Sequence, residues 1–147
     1  LIKAGQYIPG VPLEDAAASI AACDVMIQPF PDGASSRRSS LMAPLALGRA
    51  IVTNLGHWSE PIWARSGCVD ITDFSDRAAA LKRIESLIAR PERRVVQGER
   101  AREVYEESFS WERTLSVLTR SAAVEAKAPQ PAEAAVRRPV DYALSGD

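Results

Sequence analysis

Short apolar runs alternate along the first half of the chain with stretches whose apolar residues recur at helical spacing. Val25-Met26-Ile27, Ala50-Ile51-Val52-Thr53 and Cys68-Val69-Asp70-Ile71 are the runs. Bounded by Pro, Gly and polar residues, they predict strands over 24–30, 50–53 and 68–71, buried on both faces. Leu13, Ala16, Ala17 and Ile20 fall on one side of a helix over 13–22. Glu14 and Asp15 suit its amino-terminal end, and Pro12 suits its first turn. A second helix covers about 39–47, closed by Gly48. Pro61 begins a short third one through Ala64. Strands separated by helices predict an α/β domain with a parallel sheet covered on both faces. Residues 1–6 also have strand character, and Pro9, Gly10 and Pro12 mark the connection that follows.

From Ser75 onward the pattern is helical only. Ala80, Leu81, Ile84, Leu87 and Ile88 form an apolar stripe, which Ser75 or Asp73 could cap and Pro91 ends. Further helices cover about 92–107 and start again near Ser110, with Trp111, Leu115 and Leu118. After about Ala126 large apolar residues become scarce, so the domain is expected over 1–120 with a disordered tail over 121–147. Pro44 conflicts with its surroundings. It lies inside the second helix and removes a backbone donor, at small cost if the helix begins near Ser40 and with a kink if it begins earlier.

The 147 residues suffice for one domain with a core, and 46% hydrophobic with 25% charged residues is an ordinary globular balance. A net charge of −1 provides no global field for nucleic acid or an anionic membrane. Any anion site must therefore be local. Cys23 and Cys68 are too few and too far apart for a disulfide framework or zinc site, and reduced thiols in a cytoplasmic protein are the simpler expectation. No apolar run approaches the roughly 20 residues of a membrane span. The start at Leu1, within a strand-like stretch, reads as a fragment of a larger polypeptide.

One segment carries candidate chemistry. The strand ending at Phe30 leads into Asp32-Gly33-Ala34-Ser35-Ser36-Arg37-Arg38-Ser39-Ser40, which opens the second helix. Such a loop could be a solvated turn. Its place after the carboxyl end of a parallel strand is also where open α/β sheets bind ligands. Gly33 allows close backbone approach. Ser39 or Ser40 could cap the helix, leaving nearby N–H groups and the positive helix end for an anion. Arg37 and Arg38 offer guanidinium forks that match phosphate oxygens in pairs. The glycine spacing is that of neither a P-loop nor a dinucleotide fingerprint. Asp32, Gly33, Ser35, Ser36, Arg37, Arg38, Ser39 and Ser40 are the candidate binding residues.

Other residues carry less. His57, the sole histidine, lies in a loop where a structural or exposed role is commoner than catalysis. Glu60 shares the same rim, either facing a ligand or complementing the helix that starts at Pro61. Trp58 and Trp63 read as packing residues. Asp70 and Asp73 show no metal-ligand spacing.

In order, these residues resemble the carboxyl-terminal domain of GT-B glycosyltransferases, in the group that includes family four. The matching pieces are Gly5-Gln6-Tyr7-Ile8-Pro9, Ala21-Ala22-Cys23-Asp24 before Val25-Met26-Ile27-Gln28-Pro29-Phe30, Asp32-Gly33, Ala46-Leu47-Gly48, Ile51-Val52-Thr53 and Gly56-His57-Trp58-Ser59-Glu60-Pro61. Tyr105, Phe109, Ser110 and Trp111 are similar to that family's closing helices. The resemblance spans about 1–120 and implies a Rossmann-like parallel sheet with helices on both faces, part of a GT-B fold. It implies a nucleotide-diphosphate sugar as donor substrate and no cofactor or metal. It leaves the acceptor open and assigns any peripheral membrane contact to a separate amino-terminal domain.

Under that resemblance Asp32 stands where the family often has the first glutamate of a pair near the donor sugar, and Gly33 through Ser40 meet the diphosphate. Arg37 and Arg38 would neutralise charge on the leaving nucleotide. The family's second glutamate falls at Ala43, and the loop is longer and richer in arginine than is usual. The upstream basic residues and the acceptor domain are absent from this sequence, so the chain alone is expected to be inactive. Two other readings stay open: a degenerate relative binding a nucleotide, anion or partner protein without catalysis, and an unrelated doubly wound module.

Overall fold

A computed structural model describes residues 10–127, with side chains through Arg120. The expected strand over 1–6 and the tail beyond 127 lie outside the described residues. Three strands, β1 (Val25–Gln28), β2 (Ala50–Thr53) and β3 (Asp70–Ile71), form an all-parallel sheet in the order β1-β2-β3. Val25 pairs with Ala50 and Gln28 with Thr53, while Val52 pairs with Asp70. The helices are α1 (Leu13–Ala21), α2 (Ser39–Ala46), α3 (Pro61–Arg65), α4 (Arg77–Ile88), α5 (Pro91–Ser108) and α6 (Trp111–Lys127). The expected α/β architecture, a Rossmann-like parallel sheet flanked by helices, is the observed one.

Strand alternation assigns the two layers. Ile51 packs into a core with Leu41 and Leu45 of α2, Trp63 of α3, and Ala101 and Val104 of α5. Val52, the next residue, is buried on the opposite side, where α4 contacts β1 and β2 and buries Ala80 and Leu87. All four residues of β2 are buried, as a central strand requires. Gly98 lets α5 approach α2 closely, because a Cβ there would overlap the Gly48 carbonyl oxygen.

Several boundaries differ from expectation for local reasons. Strand β3 is two residues long: Cys68 and Val69 are buried but lie outside the ladder, just after Gly67 at φ +70°. Asp76, and neither Ser75 nor Asp73, caps α4 by accepting from the Ala79 amide at 3.0 Å. Asp73 instead accepts from both the amide and hydroxyl of Ser75. Leu13, expected on the inner side of α1, is 84% exposed. Helix α6 runs past the expected boundary at 120, since Ala122, Ala123, Glu125, Ala126 and Lys127 are strong helix formers. No helix among the described residues is long and apolar enough to cross a membrane.

Two ion-pair and capping details fix the frame. The buried Asp70 carboxylate accepts from Arg83 of α4 and from Arg93 of α5 at 3.2 Å, tying β3 to both helices. At the end of α2, Gly48 takes φ +61°, and the Arg49 amide donates to the Pro44 carbonyl at 2.9 Å. These bonds close the helix as a Schellman turn.

Candidate functional site

The carboxyl ends of β1 and β2 continue into two loops locked together. The Asn54 side chain bonds both backbone groups of Phe30, accepting from its N–H and donating to its carbonyl, each at 2.8 Å. It thus extends the β1–β2 ladder beyond the strands. The Ala34 amide donates to the Asn54 carbonyl at 2.8 Å, and the Trp58 amide to the Asp32 carbonyl at 3.1 Å. Between these bonds Gly33, at φ +88°, lies against Gly56: a Cβ on Gly33 would overlap the Gly56 backbone nitrogen. Close approach is therefore the role of Gly33, and the partner is protein backbone.

The arginine loop lies on this platform. Asp32, Ser35, Arg37, Arg38 and Trp58 line a recess of about 210 Å³. The Arg37 guanidinium lies 5.5 Å from the centre of the Trp58 ring, and that of Arg38 lies 5.3 Å from the centre of Phe30. Stacking of this kind orients a guanidinium while its N–H edge stays free for an anion. Arg38 also pairs with Asp32 at 3.5 Å, and His57 Nδ1 lies 3.9 Å from the other Asp32 oxygen. Trp58 is 54% exposed, so its expected packing role belongs to Trp63 alone, which is fully buried and stacked on Phe109.

The serines divide into two pairs. Neither Ser39 nor Ser40 caps α2 as anticipated. The cap position is Arg38, without a side-chain bond, because its extended backbone already ends the loop there. The amides of Ser39 and Ser40 consequently have no acceptor among the described residues. Ser35 and Ser36 point the other way, into Glu60. The Glu60 carboxylate accepts from the Ser36 hydroxyl at 2.6 Å, the Ser36 amide at 3.1 Å, the Ser35 hydroxyl at 3.3 Å and the Trp63 indole N–H at 2.6 Å. Burial is the largest single influence on this carboxylate and pushes its pKa up. The bonds from Ser36 and Trp63, with its own amide and that of Ser36, outweigh burial and hold it at about 2, below the ordinary 4.5.

The site that results is smaller and more polarised than the sequence suggested. Arg37 and Arg38 line the recess at the carboxyl end of the sheet with Asp32 and Trp58, and the first residues of α2 follow them directly in the chain. Ser35 and Ser36 belong to its scaffold. The recess falls below the roughly 300–1,000 Å³ of an ordinary small-molecule pocket, a volume suited to a phosphate group or two. A second recess at the same end of the sheet, about 480 Å³, is lined by Pro29, Phe30, Pro31, Asn54, Asp73, Phe74 and Ser75. Ala43, where the resemblance would place a second carboxylate, is half-buried in α2. No model of a known protein family matches this chain, and no curated protein matches it.

Proposed function

We propose that the chain is the donor-binding part of a glycosyltransferase, taking a nucleotide-diphosphate sugar and transferring its sugar when joined to an acceptor-binding domain. The observation that carries this reading is the recess lined by Arg37 and Arg38 at the carboxyl end of a parallel sheet, just ahead of the α2 amino terminus, whose Ser39 and Ser40 amides have no acceptor among the described residues. A diphosphate placed there meets two guanidinium forks, with the positive end of α2 next in the chain. As the sugar–phosphate bond breaks, negative charge grows on the departing diphosphate. Preorganised cations at that point stabilise the transition state more than the ground state. Asp32, an acceptor on the same rim, suits hydroxyls of the donor sugar.

Calorimetric titration with UDP, GDP and ADP tests the reading. Arg37→Ala and Arg38→Ala each remove charge-assisted hydrogen bonds to the ligand. The expected result is binding of one nucleotide, weakened by about 1.5–3 kcal/mol for each such bond. Equal affinity in the double variant would sink the site assignment. Ala43 favours a second reading, a non-catalytic relative that keeps anion binding: it predicts nucleotide binding without transfer in the complete protein.

A further inference from the structure

The Glu60 carboxylate already occupies donors that a ligand phosphate would otherwise find free. It takes the Ser36 amide and hydroxyl and the Ser35 hydroxyl on one side and the Trp63 indole on the other. Trp63 is fully buried and stacked on Phe109 at 5.4 Å, so the carboxylate is anchored in the core. The loop beyond it is wound tightly. The Arg38 amide donates to the Ser35 carbonyl at 3.0 Å, and the Arg37 amide reaches the Ser35 hydroxyl oxygen at 3.4 Å. A continuous set of bonds therefore runs from the core through Glu60 and Ser35–Ser36 to the backbone of both arginines.

We propose that Glu60 is the positioning residue of the arginine loop: its carboxylate fills the Ser35–Ser36 donors and so fixes the direction in which Arg37 and Arg38 leave the backbone. An incoming phosphate then meets the guanidinium edges, while the Ser35 and Ser36 donors are already taken by Glu60. The four donors to this carboxylate are neutral groups, so it is held in place without drawing Arg37 or Arg38 into an ion pair with it. Holding the loop in place beforehand lowers the ordering cost that a flexible arginine pair would impose on binding. The ligand half of this inference rests on the donor-site reading; the loop-ordering half does not.

The experiment uses the full chain and its Glu60→Ala and Glu60→Gln variants, with three readouts. Trypsin cuts after arginine, so cleavage after Arg37 and Arg38 reports loop opening, and cleavage after Arg83, in α4, serves as internal control. The Trp63 indole N–H resonance reports the anchor. Titration with UDP, GDP and ADP reports ligand binding. In Glu60→Ala, loop cleavage should accelerate at least about tenfold, as expected for loss of a charge-assisted anchor, with Arg83 cleavage unchanged. The Trp63 indole signal should move upfield while that of Trp111 stays. Glu60→Gln, which keeps one acceptor oxygen, should fall between, and nucleotide binding should weaken in the same order.

Unchanged loop cleavage in Glu60→Ala overturns the proposal. Tighter nucleotide binding in that variant also overturns it, since that is the mark of a competing anion. If Glu60→Ala is cut equally fast at every arginine, it has lost its fold, and the same comparison in Glu60→Gln decides. A wild-type chain that binds none of the three nucleotides, while its Glu60 variants lose loop protection, sinks the donor-site reading and supports the role of Glu60.

Discussion

Gln28 and Ser40 face each other across the strand–helix junction, the Gln28 side-chain amide donating to the Ser40 carbonyl at 2.6 Å. That carbonyl is the one Pro44 leaves without its helical donor, since the residue four places on has no N–H. The strand thus repairs the helix and absorbs the conflict visible in the sequence. Gln28→Met, which keeps the length and removes the donor, should destabilise the chain by about 1–2 kcal/mol in chemical denaturation. In a Pro44→Ala background, where a backbone N–H returns, the same change should cost clearly less. Equal costs in the two backgrounds would show that Gln28 acts independently of Pro44.

Glycine substitutions should separate sharply by position. Gly33→Ala forces a Cβ into the Gly56 backbone at a positive φ, and Gly56→Ala forces one against the Asp32 carbonyl. Each should lower stability by more than about 2 kcal/mol, because neither neighbour is a movable side-chain end. Gly67→Ala, also at positive φ but with open space around it, should cost only about 1 kcal/mol. Denaturation midpoints of the three variants check this directly.

Acid should act through Glu60. A carboxylate whose folded pKa is lowered from 4.5 to about 2 contributes stability that is complete above its unfolded value and is lost as pH falls from about 4.5 towards 2. The group is half-buried, so solvent screening trims the effect. Thermal midpoints of the wild type should fall more steeply on acidification through this window than those of Glu60→Gln. Parallel curves would mean that the carboxylate has no such linkage.

The two thiols should differ in reactivity. Cys68 is fully buried, and burial pushes its thiol up, so little thiolate is present near neutral pH. Cys23 is half-buried, and its thiol donates to the Ser19 carbonyl at 3.3 Å. A thiol reagent under native conditions should modify Cys23 first and reach Cys68 only as the chain unfolds. Mass spectrometry of the modified peptides would show the order.

What the sequence made legible was set by locality. Strand β2 matched residue for residue because four small or apolar residues lie between a helix-ending Gly and a polar loop. Gly48 marked the end of α2 for the same kind of reason. The arginine loop was legible as a place, since it follows a strand and precedes a helix, but the aim of its side chains was not. Ser35 and Ser36 turn inward because Glu60, more than 20 residues further on in the sequence and itself held by Trp63, accepts their hydrogen bonds. Asn54 was missed for a similar reason: its amide imitates a strand peptide only once Phe30 lies beside it. Trp58 and Trp63 carried the same expectation, and only the three-dimensional position of Phe109 and Arg37 separates them.

The close approach of Gly33 to Gly56 makes the arginine loop and the His57–Trp58 loop a single moving part. The Ala34–Asn54 and Trp58–Asp32 backbone bonds hold the two together there, and the glycine contact leaves no space for either to move inward. The two segments therefore cannot be exchanged one at a time: a graft of residues 32–38 from another protein would need residues 54–60 from the same source. A ligand that pulls on Arg37 would likewise displace Trp58 and His57 with it, so a probe attached to either loop should report occupancy of the other.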